Sequence, residues 1–141
     1  MQSARPRGLA WATMTAARQR LGCRAEHLVA ALLERDGWLI VARNALTTAI
    51  RGELDLIAVE GPALVFVEVK AGRQGSTLGP ETPAMAVGAR KRAKLRSLAA
   101  AWLRECGHQA PRHRELRFDV IGLRLDRAGR VTEYEHLRGA F

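Results

Sequence analysis

Glu53, Asp55, Glu68 and Lys70 interrupt the most apolar, β-branched stretch of the chain, which runs from Gly52 to Lys70. Strand-forming residues occupy Leu54 to Val59 and Leu64 to Val69, and Gly61-Pro62 separates them, a pattern that predicts an antiparallel hairpin. With Glu60 opposite Ala63, the pairing sets Val59 against Leu64, Ile57 against Phe66, Asp55 against Glu68 and Glu53 against Lys70. Side chains alternate along a strand with a period of two, so all of these share one face. Two carboxylates facing each other on an apolar surface repel and destabilise the pair unless a cation compensates. A divalent metal held by the carboxylates, with Lys70 close by, would do so and would make a phosphodiester-cleaving centre. A structural ion-pair network, in which Lys70 and an arginine neutralise the acids, would do so without any chemistry.

Several elements must position this hairpin. From about Thr15 to Asp36, Leu21, Ala25, Leu28, Val29, Leu32 and Leu33 recur at helical spacing, and Gly37 supplies a left-handed stop. Glu26 borders that stripe, either as a solvated flank residue or as an acid directed toward the charged end of the hairpin. A short strand is expected over Trp38 to Ala42, followed by a loop or ragged hairpin return from Arg43 to Arg51 with Asn44 as its turn residue. Ala71 to Pro80, rich in glycine, reads as a flexible loop past Lys70. Thr82-Pro83 is a helix start signal, and the second helix is expected over 84–105 with Gly107 ending it. Its inward stripe is Val87, Leu95, Leu98, Ala99 and Trp102.

That second helix carries Arg90, Lys91, Arg92, Lys94 and Arg96 in its first half. Lys91 stands four residues after Val87 and four before Leu95, hence near the buried side, either as a snorkelling stem or as a cation aimed at phosphate beside the acids. Alternation then predicts a strand over Leu116 to Leu125, in which Asp119 heads an apolar face and needs Arg117 or another cation, and a last strand over Val131 to Tyr134. The order of elements is that of an α/β fold with one central mixed β-sheet, a helix before the core hairpin and a basic helix after it.

The chain has 141 residues, a length for one domain with a sizeable core, expected over 14–141 behind a flexible basic tail at 1–13. A net charge of +9 suits a phosphate-bearing partner, nucleic acid or an anionic membrane surface. Arginine accounts for 20 of the 23 basic residues, so the three lysines at 70, 91 and 94 stand out against that bias. Cys23 and Cys106 fall in no metal-ligand spacing and read as reduced thiols of a cytoplasmic protein. No apolar run approaches the roughly 18 residues needed to span a membrane, and the first dozen residues lack the apolar core of a secretory signal.

From Gly22 to Phe141 the chain resembles the YraN-type family of small bacterial proteins. That family belongs to the PD-(D/E)XK nuclease-like superfamily and is related to archaeal Holliday junction resolvases. The resemblance rests on Ala25-Glu26, Arg43-Asn44, Gly52-Glu53-Leu54-Asp55-Leu56-Ile57, Phe66-Val67-Glu68-Val69-Lys70, the basic helix around Lys91, Arg117-Phe118-Asp119-Val120 and Ala140-Phe141. It implies a restriction-endonuclease-like core in which Asp55 and Glu68, with the carbonyl of Val69, bind Mg2+ or Mn2+. Lys70 would then orient or help activate the attacking water, or stabilise the pentacovalent charge. Glu26 matches the helix acid that supports the metal site in related resolvases. The family usually places a basic residue close behind the motif lysine, whereas here Ala71-Gly72 precede Arg73. The arginine usual after the asparagine is Ala45.

The functional expectation is a metal-dependent endonuclease acting on nucleic acid, DNA ahead of RNA, with branched DNA suggested by the relation to resolvases. Arg73, Arg90, Lys91, Arg92 and Lys94 are the candidate nucleic-acid contacts. A homodimer is the arrangement a resolvase needs for symmetric cutting. The alternatives are a non-catalytic nucleic-acid-binding module using the basic helix 84–105, and a protein-interaction adaptor whose charge is incidental.

Overall fold

Helix α1 runs from Arg7 to Arg35 in the computed structural model, which describes residues 7–75, 84 and 87–141. Ala25, Val29, Ala30 and Leu33 form its buried stripe. The helix ends as the glycine predicts. Gly37 takes φ 89°, its N–H donates to the Glu34 carbonyl at 3.0 Å, and the Trp38 N–H donates to Leu33 at 3.0 Å. These two bonds satisfy carbonyls that the last turn would otherwise leave open. Residues 7–13, expected as part of a tail, are helical instead. The run Leu9-Ala10-Trp11-Ala12 is rich in good helix formers, which extend the helix ahead of its packed stripe. Residues 1–6 of the expected tail lie outside the described residues.

Among the described residues five strands follow in a single sheet, ordered as in the sequence: β1 Leu39–Leu46, β2 Glu53–Glu60, β3 Ala63–Arg73, β4 Glu115–Leu125 and β5 Val131–Leu137. Only β3 and β4 are parallel, so the sheet is mixed, as expected. Helix α2, Ala89–Cys106, makes the crossover between them. Each helix covers one sheet face. Ala25, Val29 and Leu33 of α1 pack with Leu56, Val65, Val67 and Ile121, while Leu95, Leu98 and Trp102 of α2 pack with Ile57, Leu64, Phe66 and Val120. Alternating β3 side chains thus feed two cores, which is why the strand reads as an almost unbroken apolar run.

Other boundaries also differ from expectation, and β5 reaches Leu137, beyond the Tyr134 expected. Strand β1 continues through Arg43 and Asn44 to Leu46 as an irregular hairpin return, the second of the two alternatives for this segment, and Asn44 adopts a left-handed φ of 47° within it. Strand β3 extends to Arg73 because β4 pairs with it all the way to Arg73↔Leu125, so Ala71 to Arg73 are not loop. Residues 76–80 of that loop lie outside the described residues. Helix α2 begins at Ala89, with Gly88 in extended conformation before it and no side-chain cap. Thr82-Pro83, the expected start, lies outside the described residues, but Val87 and Gly88 are not helical, so the helix is shorter than 84–105 at its amino end.

Candidate metal centre and its basic surroundings

The β2–β3 hairpin follows the anticipated register from Glu60↔Ala63 through Val59↔Leu64 and Ile57↔Phe66 to Leu56↔Val67, and there its ladder ends. The next pair would set Asp55 against Glu68. The Val69 N–H instead donates to Oδ2 of Asp55 at 2.9 Å, so a side-chain oxygen takes the place of a backbone acceptor. Strand β2 stays paired to β1 down to Leu46↔Glu53, and β3 stays paired to β4. The two central strands therefore stop exchanging backbone hydrogen bonds where their carboxylates meet. Like charges directly opposite destabilise a strand pair, and a fork removes the constraint.

Glu68 is 5% exposed, and its Oε2 is buried without a hydrogen-bond partner among the described residues. Its other oxygen, Oε1, lies 3.4 Å from Lys70 Nζ and 3.5 Å from Lys91 Nζ. Lys70 thus turns to Glu68 and not to Glu53, its expected cross-strand partner; Glu53 is exposed. An apolar pocket formed by Leu54, Phe66, Val67, Leu95 and Phe118 backs the two acids. Burial is the main reason the Asp55 carboxyl is pushed up to about 7; the neighbouring Glu68 charge and, more weakly, Glu26 and a hydrogen bond shared with the Glu68 side chain add to it, while the Val69 hydrogen bond opposes it.

Glu26 reaches this cluster from α1. Its pKa is raised by burial, then by the charges of Glu53 and Glu68, against a hydrogen bond with the Asn44 side chain. Asn44, expected only as a turn residue, has its left-handed backbone inside β1, and its side chain contacts the helix acid. Asparagine is among the few residues that tolerate this conformation.

Lys91 owes its position to how closely α2 approaches β2. At Gly52, φ is +137°, and an added Cβ would lie 3.1 Å from Leu98 Cδ1 and 3.3 Å from Lys94 Cε. Glycine is therefore required twice over at the head of the Gly-Glu-Leu-Asp motif, by backbone conformation and by helix contact. Of the other candidate contacts, Arg90 and Lys94 are exposed on α2. Arg92 is turned inward: its Nε donates to the Val87 carbonyl at 2.9 Å and its Nη1 to Ala140 at 3.3 Å. Arg92 and Arg96 both lie over the Phe141 ring, at 5.5 and 5.2 Å, and Phe141 stacks on Phe118. Arg73 is exposed at the end of β3, away from α2, and its Nη1 donates to the Asp126 carbonyl at 3.4 Å.

Asp119 belongs to a separate network, structural as expected. It is fully buried and accepts from Arg117 Nε at 2.8 Å, His136 Nε2 at 2.8 Å and the Gly139 N–H at 3.0 Å. Burial works against its charge, but the bonds from His136, Arg117 and Gly139 more than offset this and hold the carboxyl at about 2. Arg117 and Arg138 also converge on Glu60 and lie over the Trp38 ring.

Among the described residues no three His, Cys, Asp or Glu side chains stand close enough to hold a metal by themselves. The donor set on offer is two carboxylates and the backbone carbonyl between Glu68 and Lys70. Hard oxygen donors in small number suit magnesium, which keeps several of its waters, better than zinc. The partnerless buried Oε2 of Glu68 and the strained Asp55 carboxyl both fit such an ion, since a cation would satisfy the first and relieve the second. Cys23 and Cys106 are free. No helix among the described residues is long and apolar enough to cross a membrane.

The profile of a family described as "Uncharacterised protein family UPF0102" matches residues 25–123. The chain is 41% identical over 128 residues to a UPF0102 protein of Moorella thermoacetica, covering 91% of this chain and the whole of that protein. It is 44% identical over 121 residues to one from Rhodococcus opacus, covering 86% of this chain and 95% of the relative. For a Streptomyces griseus relative the identity is 41% over 123 residues, with 87% and 97% covered.

Proposed function

The chain belongs to the UPF0102 family, and on that footing we propose that it is a cytoplasmic nucleic-acid-binding protein with a PD-(D/E)XK-type centre, a magnesium- or manganese-dependent endonuclease acting on DNA. The observation that carries this reading is the forked hairpin. Asp55 and Glu68 meet where the ladder ends, one Glu68 oxygen is buried without a partner, and Lys70 stands 3.4 Å from the other. Asp55, Glu68 and the Val69 carbonyl would hold the divalent cation, which supplies Lewis acidity toward a phosphoryl oxygen.

The chain's own residues would do the rest. Lys70 and Lys91, both partly exposed, present ammonium groups on the side of Glu68 where a scissile phosphate would lie, and their charge stabilises the extra negative charge that develops there. Glu26, hydrogen-bonded to Asn44, adds a third carboxylate at the rim. Arg90 and Lys94 on α2 would hold the flanking backbone. Symmetric cutting of a four-way junction would require two copies of the chain. Incubation with labelled linear, flapped and four-way DNA plus magnesium or manganese tests the reading. Cleavage lost in Asp55→Ala supports it; no cleavage with any divalent metal, or cleavage that persists in that variant, defeats it.

A second reading has its own observation in favour. Lys70 and Lys91 both reach the same Glu68 oxygen, which is the arrangement of a self-neutralised ion-pair cluster in a non-catalytic nucleic-acid-binding module. That module would bind DNA in a salt-dependent, metal-independent manner, and neutralising Arg90, Lys91 and Lys94 would abolish binding.

A further inference from the structure

We propose that the cleft between the end of β3 and the β4–β5 turn is a second phosphate-backbone subsite, which takes the nucleic-acid strand as it leaves the Asp55–Glu68–Lys70 centre. The inference rests on the nucleic-acid reading above and adds the direction in which the strand runs. Strands β3 and β4 are parallel and in register to their last pair, Arg73↔Leu125, so their carboxyl ends coincide. The Gln74 N–H donates to the Leu125 carbonyl at 3.0 Å and ties the two exits together. The turn beyond β4 is fixed by its own bonds: Asp126 N–H to Arg130 carbonyl at 2.9 Å, Gly129 N–H to Asp126 carbonyl at 3.0 Å, and Arg130 N–H to Asp126 Oδ1 at 2.9 Å.

A broad open cleft lies between these parts, with Arg73, Gly75, Asp126, Arg127 and Arg130 among its lining residues. Among the described residues, three guanidinium groups therefore face one carboxylate. Arg73 is anchored through the Asp126 carbonyl and forms no ion pair among the described residues. Arg130 contacts Asp126 Oδ2 at 3.3 Å but is 80% exposed, and Arg127 is exposed with no ion pair among the described residues. At the far end of the hairpin the situation is the reverse, because Glu60 and Asp119 hold Arg117 and Arg138.

Position argues for the same ligand as the acidic centre. Arg73 follows Lys70 by three residues on one strand, about 10 Å at roughly 3.3 Å per residue, and the odd spacing turns its side chain to the opposite sheet face, so a nucleic-acid strand that meets both passes over the carboxyl end of β3. That distance corresponds to about three nucleotide steps at about 3.4 Å each along a DNA strand. Ligands of open α/β sheets bind beyond the carboxyl ends of parallel strands, and both the centre and the cleft lie toward that end of β3. Planar guanidinium groups suit the paired oxygens of phosphodiesters.

Fluorescence anisotropy of a labelled DNA duplex, titrated with the protein over a range of KCl concentrations, tests the subsite. Removing two phosphate contacts in Arg127→Ala/Arg130→Ala should lower the log–log salt slope by about 1.8 and weaken binding about 30-fold at 0.15 M salt. Arg127→Lys/Arg130→Lys should keep the slope. Arg127→Glu alone should weaken binding with an unchanged thermal midpoint, which separates charge from any loss of turn geometry at Arg130. Manganese titration should be the same in all three variants. If wild type binds DNA and the alanine pair retains its affinity and slope, the cleft is not on the path and the subsite is overturned, while the nucleic-acid reading stands. If wild type shows no salt-dependent binding, both fall together.

Discussion

Replacing Asp55 by Asn should stabilise the metal-free protein at neutral pH, and the gain should vanish in acid. In the folded chain the Asp55 carboxyl is pushed from its ordinary 3.8 up to about 7, chiefly by burial and then by the Glu68 charge. A folded-state value above the unfolded one means that the native protein binds more protons between these limits. Stability from this group is therefore full below about pH 4 and is lost as the pH climbs through about 7. At about 1.4 kcal/mol for each tenfold change in acidity, the ceiling is about 4 kcal/mol. Lys70 and Lys91, partly open to solvent beside Glu68, screen some of this, so about 2 kcal/mol is expected at pH 8. For a chain of this length that is a rise of about 6 °C in Tm. Asn keeps an oxygen for the Val69 N–H, so the fork itself survives. Thermal unfolding at pH 4, 6 and 8 in chelator would measure the difference. Manganese at 100 times its Kd should then stabilise wild type by about 2.7 kcal/mol and leave the Asn variant unmoved. Identical pH profiles, or a less stable Asn variant at pH 8, would refute the account of Asp55 as a strained acid. Equal stabilisation of both proteins by manganese would place the ion elsewhere.

The opposite pH behaviour is expected of Asp119, whose carboxyl is held at about 2. Its contribution is present above its unfolded value near 3.8 and is lost as the pH falls toward 2, so Asp119→Asn should cost about 2.5 kcal/mol at pH 7 in urea denaturation and little at pH 2. Gly52→Ala should lower stability by about 2 kcal/mol, because a Cβ there meets Leu98 Cδ1 at 3.1 Å on a backbone at φ +137°, and differential scanning calorimetry would register it. Phe141→Ala removes the ring stacked 5.0 Å from Phe118 and lying beneath Arg92 and Arg96, and should cost about 2 kcal/mol by chemical denaturation.

The parts of this fold that follow from periodicity were legible in the sequence, and the parts that follow from long-range contact were not. The hairpin register from Glu60↔Ala63 to Leu56↔Val67 is a consequence of alternation and one turn, and the buried stripe of α2 is a consequence of helical spacing. Lys91 could be singled out because it stands four residues from apolar neighbours on both sides, and the helix does bring it to Glu68. By contrast, the partners of Asp119 and Glu60 include His136, 17 residues from Asp119, and Arg138, 78 residues from Glu60, and no local pattern announces such meetings. The extension of β3 to Arg73 depends on β4, and Asn44 acquires its role only when α1 brings Glu26 beside it. The fork is the instructive case. Alternation extrapolated the ladder one pair too far, to Asp55 against Glu68, because a period says which face a residue occupies and not whether the backbone bond there survives. Two carboxylates on an apolar face are what a paired ladder tolerates least. The ladder therefore ends at the last neutral pair, and Asp55 takes the Val69 N–H that β2 no longer serves. The end of the ladder also sets the raised Asp55 carboxyl beside Glu68, whose Oε2 is buried without a partner among the described residues, so the strained acid pair and the capacity to take a cation coincide.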